Sequence, residues 1–218
     1  MVSFNRWRER RRNPWKAVAL DAFALWRKEN GLAKLYDYAA LPDTPVVLDF
    51  GGFRGEWTQR ILDLRADAHV HVFEPHPKFA AEIADRFAAS PEVKVHACAL
   101  GALAGTLRLS DEGDASSSVA TADRAFDAPV VAVRSFFADH PADHIDLAKL
   151  NIEGGEYDLI PALAEAGVLA RIARIQIQFH LFEPAMAALR DAARTELEKT
   201  HRCVWAYPYV WEEWVLKG

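Results

Sequence analysis

The residues best suited to chemistry lie at the ends of two apolar runs. Lys149, Asn151 and Glu153 alternate along the run IDLAKLNIE, and a histidine, His180, ends the run IQIQFH. Alternate residues of a strand share one face, and unpaired charges inside an apolar strand are costly. A neutral imidazole is available as a base near pH 7, and a carboxylate can also accept a proton. These four residues are therefore our candidates for catalysis, with His180 and Glu153 as groups that could accept a proton.

Each of these side chains also has a structural explanation, which the sequence leaves open. Lys149 could pair with Glu153 or with a helix carboxylate, and Glu153 could cap the helix that follows it. His180 could be a hydrogen-bonded structural histidine. Glu153 and His180 could also contribute to a divalent-metal site, such as one for Mg²⁺, but two ligands are too few to define a site.

A second constellation begins in VVLDFGGFRGEW, where glycines follow the most strand-like run of the chain. Gly51 would let the backbone approach a ligand, and Gly55 would begin a helix whose first amides are unpaired donors. The spacing is neither G-x-G-x-x-G nor a Walker loop, so a pyrophosphate site is disfavoured. Glu74 ends the next strand, VHVFEP, where a carboxylate can accept hydrogen bonds from both hydroxyls of a ribose. The alternatives are a tight connection for the glycines and a helix-capping role for Glu74.

Hydrophobic periodicity predicts the elements that position these residues. After a helical segment at about 14–39, strands alternate with helices, apart from an irregular insert at 101–135 that contains GDASSS. The run VKVHACAL is predicted as a single strand, and the end, CVWAYPYVWEEWVLK, as two strands joined at Tyr207-Pro208. The prediction is an α/β, Rossmann-like doubly wound sheet: five parallel strands plus an antiparallel C-terminal edge hairpin. Residues 1–45 form a basic, helical extension and residues 46–218 the domain.

The composition excludes several classes of protein. The 218 residues carry a net charge of −5, which argues against a general nucleic-acid-binding surface. No run approaches the ~20 apolar residues that span a bilayer, and two cysteines, Cys98 and Cys203, form no disulfide framework, so we expect a cytoplasmic protein. The start of the chain, NRWRERRRNPWK, is rich in arginine and lysine. This basic segment is either a solvated surface or a contact for anionic lipid or glycan carriers. The N-terminal helix could also pack against a second copy.

The motifs LDFGGFRGEWT, VHVFEPHP, VHACALG and IDLAKLNIEGGEYDLI together resemble the FkbM-type family of S-adenosylmethionine-dependent methyltransferases. The resemblance runs from about Val46 to His180. It implies the seven-stranded class I methyltransferase fold, with the cofactor held at its methionine end by Gly51 and Gly55 and at its ribose by Glu74. It also implies that Cys98 and Ala99 lie along the adenine. We further assign to the cofactor site Asp49, Gly52 and Asn151.

This chain departs from the family pattern at two places. Gly52, Phe53 and Arg54 replace the usual middle of the glycine turn, and Asn151 stands where the family usually has an aspartate. The first change reshapes the loop, whereas the second touches the active centre. The alternative of a cofactor-binding module without catalysis therefore stays open, while a nicotinamide oxidoreductase is disfavoured by the glycine spacing.

The activity that the resemblance implies is methyl transfer to a hydroxyl, which requires alignment of donor and acceptor and removal of the hydroxyl proton. A sugar hydroxyl in a polysaccharide, glycolipid or natural-product glycoside is the leading acceptor, and a nitrogen acceptor is the alternative. Side chains that could contact a sugar are hydroxyls in the insert and aromatic rings just after the insert and in the C-terminal hairpin: Ser116, Ser117, Ser118, Phe136, Phe137, Trp205, Trp211 and Trp214. The alternative for the aromatic rings is core packing, which we favour for Trp205 and Trp214.

Overall fold

The computed structural model describes residues 12–110 and 125–218. The strands in these ranges are β1 (Val46–Phe50), β2 (His69–Phe73), β3 (Val93–His96), β4 (Ala99–Gly101), β5 (Gly105–Ser110), β6 (Ala125–Ala132), β7 (Leu147–Leu150), β8 (Arg174–Ile177), β9 (His201–Tyr207) and β10 (Trp211–Leu216). The α-helices are α1 (Ala17–Lys28), α2 (Gly31–Leu35), α3 (Glu56–Leu64), α4 (Pro77–Arg86), α5 (Val133–Asp139), α6 (Glu156–Glu165) and α7 (Met186–Thr200). None of the helices in these ranges has the length and apolar character needed to cross a bilayer.

One sheet of seven strands forms the centre of the molecule, in the order β3-β2-β1-β7-β8-β10-β9. The first five of these strands are mutually parallel, and β10 runs antiparallel to both of its neighbours. The predicted doubly wound sheet with an antiparallel C-terminal hairpin is therefore confirmed. The chain moves outward from β1 to β3 and then returns to place β7 on the other side of β1. This reversal of strand order creates a crevice at the carboxyl ends of β1 and β7.

Apolar layers cover both faces of the sheet. On one face, helices α3 and α4 contribute Trp57, Ile61 and Ile83, which pack on the valines of β1 and β2. On the other face, α5, α6 and α7 form a larger core around β7 and β8. All four residues of β7 are buried, as expected for a parallel strand that is covered on both sides.

The segment before the sheet is bound tightly to it. Tyr38 and Leu41 belong to the same core as α3 and α4, and the Tyr38 hydroxyl donates to Gln176 Oε1 at 3.1 Å. The predicted helix over 14–39 is wrong as a single element. Asn30 adopts a left-handed conformation with φ of 52°, and this conformation separates α1 from α2. Of the basic residues at the start of the chain, Arg6, Arg8, Arg10 and Arg11 lie outside the described residues.

Two further predictions about elements are corrected. VKVHACAL is not one strand, because a turn in which the Cys98 amide donates to the His96 carbonyl at 2.8 Å ends β3. The chain then leaves the main sheet, and β4 joins a small sheet in the order β4-β6-β5. Within the insert, helix α5 was not predicted, and Ser116, Ser117 and Ser118 lie outside the described residues. Phe136, Phe137 and Trp214 are buried in the core, so the suggestion that they stack on a sugar is wrong.

Three histidines cluster between β2, β3 and α5. His71 Nδ1 lies 2.9 Å from His96 Nε2, and both rings lie within 6 Å of the His140 ring, with centroid distances of 5.8 and 5.7 Å. Burial, with smaller contributions from neighbouring positive groups, lowers the pKa of His71 and of His96 to about 4. The two rings are therefore neutral in the folded protein at neutral pH.

We expect this cluster to make folding acid-sensitive. Below the ordinary histidine pKa of 6.5 the unfolded chain binds protons that the folded rings take up only near pH 4. The contribution to stability is therefore complete above pH 6.5 and is lost as the pH falls to about 4; allowing for partial exposure, we expect about 2 kcal/mol for the pair. Denaturant unfolding across this range should show a steeper loss for the wild type than for His71→Asn/His96→Asn. His144→Asn, an exposed control, should keep the wild-type slope, and equal slopes for all three proteins would contradict the prediction.

Candidate functional site

A cavity of about 350 Å³ lies at the carboxyl ends of β1, β2 and β7, at the reversal of strand order. This volume is within the range of pockets that bind small molecules. Polar residues line one part of its wall: Gly51, Glu74, Asn151, Glu153 and Asp158. Apolar residues from the glycine turn, α4 and the small sheet line the other: Phe53, Phe79, Leu100, Leu107, Leu109 and Val130.

The glycine turn brings β1 and β7 into close contact. Gly51 has φ of +85°, and a Cβ at this position would lie 2.1 Å from the carbonyl oxygen of Asn151. Gly55, with φ of +73°, is the N-cap of α3, as predicted, but it contacts Phe87 rather than the cavity. Gly52 is buried against Val72 and does not line the cavity either. Of the three glycines assigned to the cofactor, only Gly51 is part of the cavity wall.

A buried ion pair holds this turn from behind. Lys149 Nζ lies 3.0 Å from Asp49 Oδ1 and also donates to the Gly51 carbonyl at 2.7 Å. The Thr58 hydroxyl donates to the other carboxylate oxygen of Asp49 at 2.7 Å. The predicted partners of Lys149, namely Glu153 or a helix carboxylate, are therefore wrong. Neither Lys149, assigned to catalysis, nor Asp49, assigned to the cofactor, lines the cavity.

Glu74 faces the cavity with a carboxylate that is held by two backbone amides. Its Oε2 accepts from the Phe53 amide at 2.8 Å, and its Oε1 accepts from the His76 amide at 2.9 Å. Burial raises the pKa of Glu74, against the opposing effect of these two bonds. The capping alternative holds in part: the N-cap of α4 is His76, whose ring accepts from the Lys78 amide, while Glu74 binds the amide of that N-cap residue. A carboxylate has about four acceptor positions, so two remain for a ligand.

Phe53, one of the residues that replace the usual middle of the turn, has an unusual backbone conformation. It has φ of 49°, and a bulky side chain rarely adopts this left-handed conformation. The hydrogen bond that its backbone amide donates to Glu74 stabilises the conformation. Its ring packs against Phe79 with 4.6 Å between the centroids. The departure from the family pattern in the turn therefore adds an aromatic wall to the cavity.

Asn151 also lines the cavity. Its Oδ1 is buried and has no hydrogen-bond partner among the described residues. A buried amide oxygen without a partner costs about 1–3 kcal/mol, and a ligand with an N–H or O–H group would relieve this cost. Of the two residues expected along the adenine, Ala99 lines the cavity, whereas the Cys98 side chain is buried in the core, where burial raises the pKa of its thiol.

His180, assigned to catalysis, does not line the cavity itself but lies between two glutamates, one of which, Glu153, does. Its Nε2 is 3.4 Å from Glu153 Oε1, and its Nδ1 is 3.0 Å from Glu156 Oε1. Burial alone would lower the pKa of His180, but the hydrogen bonds to Glu153 and Glu156 outweigh it and raise this pKa to about 9. The prediction of a neutral imidazole base near pH 7 is therefore wrong. The predicted shared strand face is also wrong, since β7 ends at Leu150 and Glu153 lies beyond it.

Glu156 is a residue of the site that the sequence reasoning missed. It is fully buried at the first turn of α6, and it accepts from the Ile152 and Gly154 amides at 2.8 and 3.0 Å. The spacing EGGE was the available signal, because a carboxylate at the start of a helix can bind the amides that precede it. Within the described ranges, no group of three or more histidine, cysteine or acidic side chains is arranged to hold a metal ion, so the Mg²⁺ expectation has no site there.

The family model for the methyltransferase FkbM domain matches residues 49–203. This match covers every residue that lines the cavity and extends into β9. Among curated proteins, no sequence matches the chain.

Solved methyltransferase structures are similar to the chain at low sequence identity. The methyltransferase FkbM from Methylobacillus flagellatus KT has a TM-score of 0.54 at 14% identity over 83% of this chain, which spans only 46% of that protein. An rRNA methylase from Streptococcus thermophilus has a TM-score of 0.54 at 11% identity, over 86% of this chain and 96% of its own. A Streptococcus mutans protein in complex with SAH has a TM-score of 0.52 at 9% identity, over 86% and 97%. At such identities the similarity shows the fold, which is that of class I methyltransferases.

Proposed function

The chain belongs to the FkbM methyltransferase family, and from this premise we propose that it transfers the methyl group of S-adenosylmethionine to an oxygen acceptor. The acceptor that we propose is a sugar hydroxyl in a polysaccharide, glycolipid or natural-product glycoside. The observation that carries the proposal is the buried carboxylate of Glu74 and the side chain of Asn151, which line one cavity at the reversal of strand order.

The residues present fit this cofactor. The free acceptor positions of Glu74 suit the two ribose hydroxyls, and the unpartnered Oδ1 of Asn151 suits an N–H donor such as an ammonium group. The apolar wall formed by Phe53, Leu100 and Leu109 suits a purine ring. When bound, S-adenosylmethionine supplies an electrophilic methyl group on a positively charged sulfur.

Glu153 is the residue that we assign to proton removal. It lines the cavity, and its side chain is 31% exposed, so an acceptor hydroxyl can reach it. Glu153 would accept the proton that the acceptor hydroxyl loses when S-adenosylmethionine supplies its methyl group. His180 cannot take this role, because both of its ring nitrogens contact carboxylates. A carboxylate at this position suits a hydroxyl acceptor, because the hydroxyl must lose its proton during methyl transfer. A neutral amine can attack through its lone pair and needs no base for that step.

Calorimetric titration of S-adenosylmethionine and of NAD into the full chain tests the proposal. We expect S-adenosylmethionine to bind with micromolar affinity and NAD to give no heat, because the turn lacks the dinucleotide spacing. Transfer of a labelled methyl group should then be assayed on glycans, on glycolipids and on amines. Binding of NAD without binding of S-adenosylmethionine would overturn the proposal. Turnover on amines only would move the acceptor to nitrogen, and binding without any turnover would favour the module without catalysis.

A further inference from the structure

His180 connects a buried carboxylate to the carboxylate at the cavity. Glu156 is fully buried and lies 3.0 Å from Nδ1, while Glu153 is partly exposed and lies 3.4 Å from Nε2. Both nitrogens of the ring are thus occupied, and neither is available to a ligand. We name these three residues, Glu153, His180 and Glu156, the Glu–His–Glu chain.

The loop that carries Glu153 bends around Glu156. The two carboxylate oxygens of Glu156 accept from the Ile152 amide and from the Gly154 amide, on either side of Glu153. Glu153, which lies between the two anchored residues, has φ of 52°, and Gly154 has φ of 100°. A left-handed conformation costs a non-glycine residue about 1–2 kcal/mol, so it persists only where other contacts impose it. The bonds to Glu156 are such contacts.

His180 is itself fixed in place. The hydroxyl of Tyr157, the residue after Glu156, donates to the His180 carbonyl. The His180 ring packs against Phe182 with 5.5 Å between the centroids, and its side chain is only 11% exposed. One turn of α6 therefore supplies both the carboxylate that binds the ring and the hydroxyl that binds the backbone.

We propose that Glu156 and His180 are positioning residues that hold Glu153 against the cavity in the orientation needed to accept the substrate's proton. Glu156 fixes the backbone of Glu153 through the two amides, and His180, as an imidazolium, fixes its carboxylate. This inference rests on the proposed function, because it requires Glu153 to act on a bound acceptor.

The charge on His180 gives the proposal a pH dependence. Glu153 and Glu156 are the charged groups that raise the pKa of His180 to about 9 against the effect of burial. Since that pKa is raised, the imidazolium and both of its ion pairs are present through neutral pH and are lost above about pH 9. Positioning of Glu153 should therefore fail on the alkaline side, and kcat should fall there.

The test is Glu156→Gln, read first by NMR titration of the His180 ring in the protein without cofactor. We expect the pKa of His180 to move from about 9 toward the ordinary 6.5, because one of the two carboxylates is gone. We also expect kcat to fall about tenfold or more at neutral pH, with its alkaline limit shifted to lower pH and the affinity for S-adenosylmethionine unchanged. Glu165→Gln, at an exposed position of the same helix, should leave all three quantities unchanged.

Two outcomes would overturn the proposal: a wild-type His180 that titrates near 6.5, or a folded Glu156→Gln protein with unchanged kcat and alkaline limit. If Glu156→Gln does not fold, Glu153→Asp serves instead. It keeps the loop anchored but shortens the side chain, so the pKa of His180 should fall while Glu156 remains in place. The NMR titration needs no cofactor. Failure of S-adenosylmethionine binding would therefore refute the proposed function, whereas the pKa of His180 would still show whether the two glutamates hold its ring as an imidazolium.

Discussion

The Glu74→Ala variant is expected to bind S-adenosylmethionine at least about 100-fold more weakly than the wild type. A hydrogen bond to a charged group contributes about 1.5–3 kcal/mol, and two such bonds to ribose hydroxyls would be lost. The substitution also leaves the amides of Phe53 and His76 without their acceptor, so the left-handed conformation of Phe53 loses its support. The cavity wall and the ribose contact should therefore be lost together.

Titration calorimetry, with circular dichroism to verify folding, measures this effect. Glu82→Ala is the matched control, because Glu82 lies on α4 nearby with its side chain 45% exposed. Glu74→Gln keeps the shape and one acceptor oxygen, and it should bind with intermediate affinity. Affinity within threefold of wild type for a folded Glu74→Ala protein would remove Glu74 from the cofactor site.

The second large effect is expected from Glu153→Gln, which should lower kcat by about 10²–10⁴-fold, the usual contribution of a positioned general base. The amide has the shape of the carboxylate but cannot accept the hydroxyl proton. The dissociation constant for S-adenosylmethionine should stay within about threefold of wild type, since Glu74 and Asn151 are assigned to the cofactor. A decrease in kcat without a change in this dissociation constant would show that Glu153 acts in proton removal and not in cofactor binding.

Initial rates with saturating cofactor and a glycan acceptor provide the measurement. Asp158→Asn is the control, because Asp158 is an exposed acid that also lines the cavity. If Glu153→Gln turns over at the wild-type rate, the proton leaves to another group or directly to water. If both variants lose activity equally, the cavity needs negative charge rather than a specific base.

The sequence predicted the main sheet from local pattern alone. Apolar runs such as VVLDF, followed by amphipathic helices, predicted the parallel sheet because the period of hydrophobic residues reports secondary structure directly. Glu74 could be placed beside the glycine turn for a related reason. The carboxyl ends of parallel strands meet at one edge of the sheet, so a residue at a strand end has a known neighbourhood even without coordinates.

The tertiary structure decided the partners of the charged residues. Lys149 pairs with Asp49, 100 positions earlier, because β1 and β7 lie side by side in the folded sheet, with β2 and β3 on the other side of β1. The charge of His180 depends on Glu156, 24 positions away, and on the burial of both side chains. The strength of an ion pair and the desolvation of its charged groups depend on distances in space, and no periodicity along the chain encodes these distances. For that reason the sequence by itself determined the sheet and the strand ends at which the site lies, and only the folded chain determined which side chains line the cavity and which are held in ion pairs away from it.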